Sequence, residues 1–205
     1  MPEAEDENPQ SEFCSDGKEK TMNYLLGIDF GGGASKATLL RTDGAIVGEH
    51  TVEYPTAHPA AGACEQNPCD WMEALCRNTH AILRESGVAP ERILAVALDS
   101  ATHSSVVCDE NFLPLRPCLH WTDSRSGRQS DELHRKYGQA IFEKTFHLPD
   151  TIWTLPQLLW LRETEPEIFG KIRHVFFEKD FIRYRCPHHR GSHDYLLRPS
   201  GRLFR

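Results

Sequence analysis

The chain has 205 residues, 39% of them hydrophobic, and a formal net charge of −7. That length and apolar content fit one domain with a sizeable core. An acidic balance without a basic face argues against nucleic-acid binding, and no apolar run is long enough to span a bilayer.

The acidity is concentrated at the N-terminus, where residues 1–20 hold seven acids against Lys18 and Lys20. Residues 1–21 carry almost no large apolar side chain and are read as a disordered acidic leader. They contain no apolar signal segment, so a cytoplasmic location and no membrane partner are expected. Met22, directly before the first strand, is read as the natural start. Seven cysteines form no Cys-x-x-Cys pair, which suggests neither a zinc site nor a disulfide framework.

Alternating and apolar runs predict strands at Leu25–Ile28, Ala37–Leu40 and Ala45–Tyr54, with Asp43-Gly44 as the second turn. These three form an antiparallel meander. A loop rich in Pro, Ala and Gly follows over Pro55–Pro68. A helix is predicted over Asp70–Ser86, ended by Gly87. Short strands follow at Ile93–Leu98, Ser104–Cys108 and Arg116–Trp121. Helices are expected at Ser130–Tyr137, Ala140–Thr145, Leu155–Arg162 and Pro166–Ile172, then a strand at Val175–Phe177 and a last helix at Lys179–Arg185. The order predicts an α/β fold with a mixed sheet that opens on the meander, and helices on both faces.

Within the first hairpin lies Asp29-Phe30-Gly31-Gly32-Gly33-Ala34-Ser35-Lys36. Three glycines permit a tight turn with positive φ and close approach of backbone to a ligand. Free N–H groups in such a turn make an anion-binding concavity, to which Ser35 and Lys36 add a hydroxyl and a positive charge. Asp29 could hold a divalent cation. The same residues also describe an ordinary hairpin with an exposed Asp. Neither a P-loop nor a dinucleotide fingerprint is present. Asp99, after an apolar run, is read as a structural turn residue, with a second metal carboxylate as the alternative, and Asp180 as the cap of the last helix.

Several ordered motifs together resemble the N-terminal half of the FGGY carbohydrate kinases, and most closely their xylulokinase-like members. They are Gly27-Ile28-Asp29-Phe30-Gly31 with Ser35-Lys36, Glu65-Gln66-Asn67-Pro68 with Trp71, and Ala97 to His103. Leu115-Arg116-Pro117 with Trp121-Thr122-Asp123-Ser124-Arg125 continues the series, then Trp153 to Trp160 and Lys179 to Arg185. The resemblance spans about Tyr24 to Arg185, and residues 22–185 are taken as this domain. It implies an actin-like ATPase, ribonuclease H-like fold that uses ATP and Mg²⁺ to phosphorylate a sugar or polyol. It implies Asp29 at the metal, Gly31, Gly32, Gly33, Ser35 and Lys36 at the phosphates, and His103, Trp121 and Asp123 on the sugar side. The Trp121-Asp123-Arg125 element and the Trp153 helix distinguish the chain from other actin-like ATPases.

The chain departs from the family pattern in three ways. Gly32-Gly33-Ala34 stands where relatives usually carry Thr and Ser, and Ala101-Thr102 where xylulokinases often carry Gln-Met. No catalytic residue is assigned in this half, because the family's base and adenosine pocket lie in a C-terminal half. Residues 186–205, rich in Arg, Pro and His, are read as an aberrant tail from truncation or a frameshift. Two functions follow: half of a kinase, inactive alone and completed by a separately encoded C-terminal half, or a non-catalytic sugar-binding or regulatory module.

Overall fold

The computed structural model describes residues 22–186, so both the expected leader and residues 187–205 of the tail lie outside the described residues. The chain begins with β1 (Tyr24–Phe30), β2 (Ala34–Arg41) and β3 (Ile46–Glu53), the predicted meander. The turn between β2 and β3 places Gly44 at φ 95°, a conformation glycine adopts without steric cost.

A two-residue strand β4 (Glu65–Gln66) leads into α1 (Pro68–Ser86). Asn67 caps this helix by accepting from the Cys69 N–H, Pro68 fits its first turn, and Gly87 closes it in the left-handed region. β5 (Ile93–Ser100) then pairs parallel to β1, giving a mixed sheet of order β3-β2-β1-β5.

The remaining strands are β6 (Ser105–Cys108), β7 (Cys118–Leu119) and β8 (His174–Phe177). They join β4 in a second sheet of order β4-β7-β6-β8 rather than extending the first. The other helices are α2 (Gly127–Thr145), α3 (Thr154–Thr164), α4 (Pro166–Phe169) and α5 (Glu178–Arg185). The two helices predicted within 130–145 are one, which runs through Gly138. There the backbone lies so close to His134 that a Cβ would meet its ring at 2.9 Å, so this glycine serves packing and not a break.

Alternation decides what β1 and β2 bury. Leu26, Ile28, Phe30, Ala37 and Leu39 face the core with Trp71, Met72, Leu75 and Ile82 of α1, and with Phe181 and Ile182 of α5. Burying each large side chain of this kind contributes roughly 1.5–3 kcal/mol. The intervening residues Leu25, Asp29, Lys36, Ala95, Ala97 and Asp99 are exposed. The helices packed against this sheet, α1 and α5, thus cover one face, and the expectation of helices on both faces is not met there. Alternation leaves the second face populated, Leu25 aside, by small and charged side chains such as Asp29, Lys36, Ala95, Ala97 and Asp99, which give a helix little to pack on.

Candidate functional site

The open face is where the opening motif comes together. In the β1–β2 hairpin Asp29 stands opposite Lys36, and in the parallel β1–β5 pair it stands opposite Asp99. These three line one concavity of about 280 Å³ with Gly27, Thr38 and Ala97. Asp99 is therefore a strand residue beside Asp29, not a turn residue, although its carboxylate also accepts the Ser100 N–H at 2.9 Å. The Lys36 ammonium is paired with Glu49 at 2.8 Å and holds that carboxylate below its usual range.

Gly31 to Gly33 bridge β1 and β2 at the end of this face. None of the three has positive φ, contrary to the expected use of the triplet. Their value is bareness: a Cβ on Gly33 would meet nothing within 4 Å. The carbonyls are tied back. Tyr54 donates its hydroxyl to the Gly31 oxygen, Thr56 and Gln66 donate to the Gly32 oxygen, and the Tyr54 N–H donates to the Gly33 oxygen. The Gly31 N–H closes on Ala34, while no acceptor is found for the N–H groups of Gly32 and Gly33 among the described residues. A loop with carbonyls held inward and N–H groups free is disposed to bind an anion.

Gln66 also explains the Glu65–Trp71 motif. The Trp71 indole N–H donates to the Gln66 side-chain carbonyl at 3.1 Å, which fixes the amide so that its NH₂ faces Gly32. Gln66 lies in that motif but without a role assigned from the sequence, and no sequence signal marks Tyr54 and Thr56, because the side-chain contacts of all three to the loop span more than 20 residues.

Two expected site residues are placed elsewhere. Ser35 points into the core, fully buried, where the Asn78 amide of α1 donates to its hydroxyl and carbonyl at 3.0 Å each. One step of strand alternation separates it from Lys36, so it cannot face a phosphate from this position. Asp123 is also buried, with its carboxylate engaged by the Cys64 N–H, the Arg125 N–H and the Arg125 guanidinium. Arg125 continues to Glu65, which also binds Arg116, and Arg116 reaches Glu165. The guanidinium carbon of Arg125 lies 4.4 Å from the Trp160 ring. Asp123 is thus spent on an ion-pair network and is not available to a sugar hydroxyl.

The remaining two are apart from the carboxylate face. Trp121 is 41% exposed on the turn after β7. His103, at φ 63°, packs edge-on against Trp153 and Phe177 in a second concavity of about 290 Å³, almost wholly apolar. Its Nδ1 is buried without a partner among the described residues, and burial lowers its pKa.

Two further buried polar groups, Glu178 and His120, lie outside the motifs. Glu178, at the start of α5, is fully buried, and neither carboxylate oxygen has a partner among the described residues. Burial, reinforced by the charge of Asp29, pushes its pKa up to about 8. Asp180 lies in the first turn of α5 and accepts from Lys179, so it is not the cap. His120 is buried beside Gly32. No group of three or more metal-ligating side chains occurs among the described residues.

No helix of the described residues is long and apolar enough to cross a membrane. The sequence model of the FGGY family of carbohydrate kinases, N-terminal domain, matches residues 24–190. A xylulose kinase from Lactococcus lactis is 31% identical over 161 residues, 78% of this chain and 32% of that protein. A gluconokinase from Bacillus subtilis is 30% identical over 162 residues, 78% of this chain and 31% of that protein. The chain thus spans about a third of the length of the curated relatives it matches. A xyloylose kinase from Brucella ovis superposes with a TM-score of 0.75 at 29% identity, covering 80% of this chain and 34% of the other. A glycerol kinase from Plasmodium falciparum, solved with ADP, shares the fold with a TM-score of 0.70 at 19% identity over 80% of this chain and 34% of the other. The fold is the actin-like one expected from the motifs, and the chain belongs to the FGGY family of carbohydrate kinases, matching its N-terminal domain.

Proposed function

We propose that this chain provides the N-terminal half of an ATP-dependent sugar kinase acting on a ketose such as xylulose, or on a related polyol. The observation that carries the reading is the open sheet face. Asp29, Asp99 and Lys36 line one concavity, next to a glycine loop with two free N–H groups. Phosphoryl transfer depends mainly on positioning and on neutralising charge, and these groups supply both.

Mg²⁺ fits the donor set. It is commonly held by one or two carboxylates together with substrate phosphates, and this face offers two carboxylates, with no third His, Cys, Asp or Glu grouped with them among the described residues. Asp29 would hold the ion with Asp99 beside it, and the bound ion would draw charge from the phosphoryl oxygens. The Lys36–Glu49 pair is exposed, so it holds the ammonium weakly and leaves it free to turn to a phosphate. Trp121 offers a half-exposed ring to the apolar side of a sugar. His103 contributes an unpartnered ring nitrogen in an otherwise apolar wall. Asp123 acts by holding the Trp121 turn in place, not by touching the substrate.

The proton acceptor for the sugar hydroxyl and the adenosine pocket come, in this reading, from a C-terminal half, on the same or a separate polypeptide. ADP release with a panel of ketoses, polyols and gluconate, with and without a co-expressed FGGY C-terminal half, tests it. Sugar-dependent turnover is expected only with both halves. Turnover by residues 1–205 alone would overturn the need for a second half. Sugar binding that never leads to ADP release would favour the non-catalytic module.

A further inference from the structure

His120 is a polar group that no motif singled out. It lies just after β7, 4% exposed, and it is held through one nitrogen. Nδ1 lies 2.7 Å from the Thr122 hydroxyl and 3.5 Å from the Cys64 thiol, and it accepts the Thr122 backbone N–H at 3.4 Å. A backbone N–H can only donate, so this contact favours Nδ1 as the acceptor, with the Thr122 hydroxyl donating to it as well. A neutral imidazole then carries its proton on Nε2. Burial lowers the pKa of this ring and so favours the neutral form.

Nε2–H is therefore a donor, and it is buried without an acceptor among the described residues. Such groups are rare because leaving one unpaired is costly. Its position gives it a use. A Cβ built on Gly32 would lie 3.9 Å from both Nε2 and Cε1 of His120, so the ring edge faces the space that glycine leaves open. The free N–H groups of Gly32 and Gly33 belong to the same turn.

We propose that His120 Nε2–H is a third donor of this loop, given to a phosphoryl oxygen seated against Gly32. The proposal rests on the reading of Gly31–Gly33 as a phosphate loop. It adds a side-chain donor where the loop has no hydroxyl facing the ligand, since Ser35 is turned into the core. Because Nε2 has no contact with bulk water, an acceptor that reaches it displaces no solvent bond, and the low local dielectric strengthens the contact. Reaching it requires Gly32 to shift off the ring edge, against the Thr56 and Gln66 contacts that hold its carbonyl. Cys64 and Thr122 then act as positioning residues, because they fix the tautomer.

The test uses the full chain with ¹⁵N-labelled histidine and backbone amides, titrated with inorganic tripolyphosphate with and without Mg²⁺. This probe does not need an adenosine pocket. The expected result is a His120 ring protonated on Nε2, whose proton resonance moves together with the Gly32 and Gly33 amides. His120→Phe should weaken binding about tenfold or more, the scale of one hydrogen bond to a charged acceptor. His120→Gln, which keeps a donor near the same place, should restore most of it. Thermal melts of both variants report folding, and the wild-type spectra need neither variant. If the glycine amides shift while Nε2–H does not, or if Nδ1 carries the proton, the proposal fails and the phosphate loop stands. If the glycine amides do not respond, the phosphate-loop reading fails and takes the proposal with it.

Discussion

Asp29 and Asp99 stand side by side, in register on adjacent parallel strands, on a face of the sheet that no helix of the described residues covers. Strands in a sheet lie about 4.8 Å apart, so two carboxylates of like charge are held as close neighbours. Lys36, opposite Asp29, gives its ammonium to Glu49 instead. Like charges paired across strands cost about 0.2–1 kcal/mol, an arrangement that folding alone would not favour and a cation would relieve.

Asp29→Asn and Asp99→Asn should therefore each stabilise the ligand-free chain by a few tenths of a kcal/mol, on the scale of that cross-strand repulsion. Both should weaken the stabilisation that Mg²⁺ with tripolyphosphate gives the wild type, Asp29→Asn by about tenfold in affinity, or ~1.4 kcal/mol. Denaturant titrations with and without the probe measure both effects. A full response to Mg²⁺ in Asp29→Asn would remove Asp29 from the metal site.

Glu178 sets a pH dependence. Its pKa rises from the usual carboxylate value to about 8, through burial first and the Asp29 charge second. Below the unfolded value of about 4.5, the group is protonated in both states and costs nothing. As pH rises from there towards 8, the unfolded chain ionises while the folded one stays neutral, so stability falls. Above about 8 the loss levels off. Glu178→Gln should abolish that slope and leave the folded state more stable by a few kcal/mol at pH 8. Urea midpoints from pH 5 to about 9 would show this; parallel curves for wild type and variant would refute it.

The sequence makes some parts of this plain and hides others for physical reasons. Asp29 and Lys36 are one strand apart with a short turn between them, so local pairing reveals their shared face. The same alternation turns Ser35 inward, a consequence that is missed when Gly31–Ser35 is read as a single loop. Asp123 and Arg125 are near neighbours, but Glu65, which joins them, is about sixty residues away and no periodic signal connects them. Strands at β6, β7 and β8 are read from apolar runs, but β4 is two residues long and shows no alternation, and nothing local tells that these four form a second sheet instead of extending the first. His120 looks like any residue of an apolar stretch until Cys64 and Thr122 fix which nitrogen carries its proton.

The glycines of the chain divide into two kinds, and Gly→Ala separates them. Gly33 has ordinary backbone angles and open space around it, so Gly33→Ala should change stability by no more than about 0.5 kcal/mol. If its N–H faces a phosphate, the added methyl group should still weaken tripolyphosphate binding. Gly62 is at φ 74°, and a Cβ there would lie 2.7 Å from the Ser124 hydroxyl. Gly62→Ala should cost more than 1 kcal/mol without touching the open face. Melting curves paired with binding titrations distinguish the two; a large stability loss in Gly33→Ala would mean the loop is bare for folding, not for a ligand.

The Glu65 carboxylate holds two guanidinium groups, those of Arg116 and Arg125, in a region where all three side chains are largely buried. Arg125 is further fixed by Asp123 and by the Trp160 ring, and Asp123 anchors the Cys64 N–H. The network therefore ties β4, the turn that carries Trp121, and α3 into one unit. Glu65→Gln keeps the volume but leaves two buried cations with one fewer counter-charge, and breaking such a pair costs about 3–5 kcal/mol. Arg125→Lys should also destabilise, because an ammonium cannot reproduce the forked contact with Asp123 or stack on Trp160. Guanidinium unfolding would measure both, and Trp121 fluorescence in the folded state would report whether the turn has shifted. A double variant that replaces Glu65 and Arg116 together should recover part of the loss, since it removes a buried charge along with its partner. If the double variant were as unstable as the sum of the two singles, the pair would not be coupled, and Arg116 would owe its place to Glu165 instead.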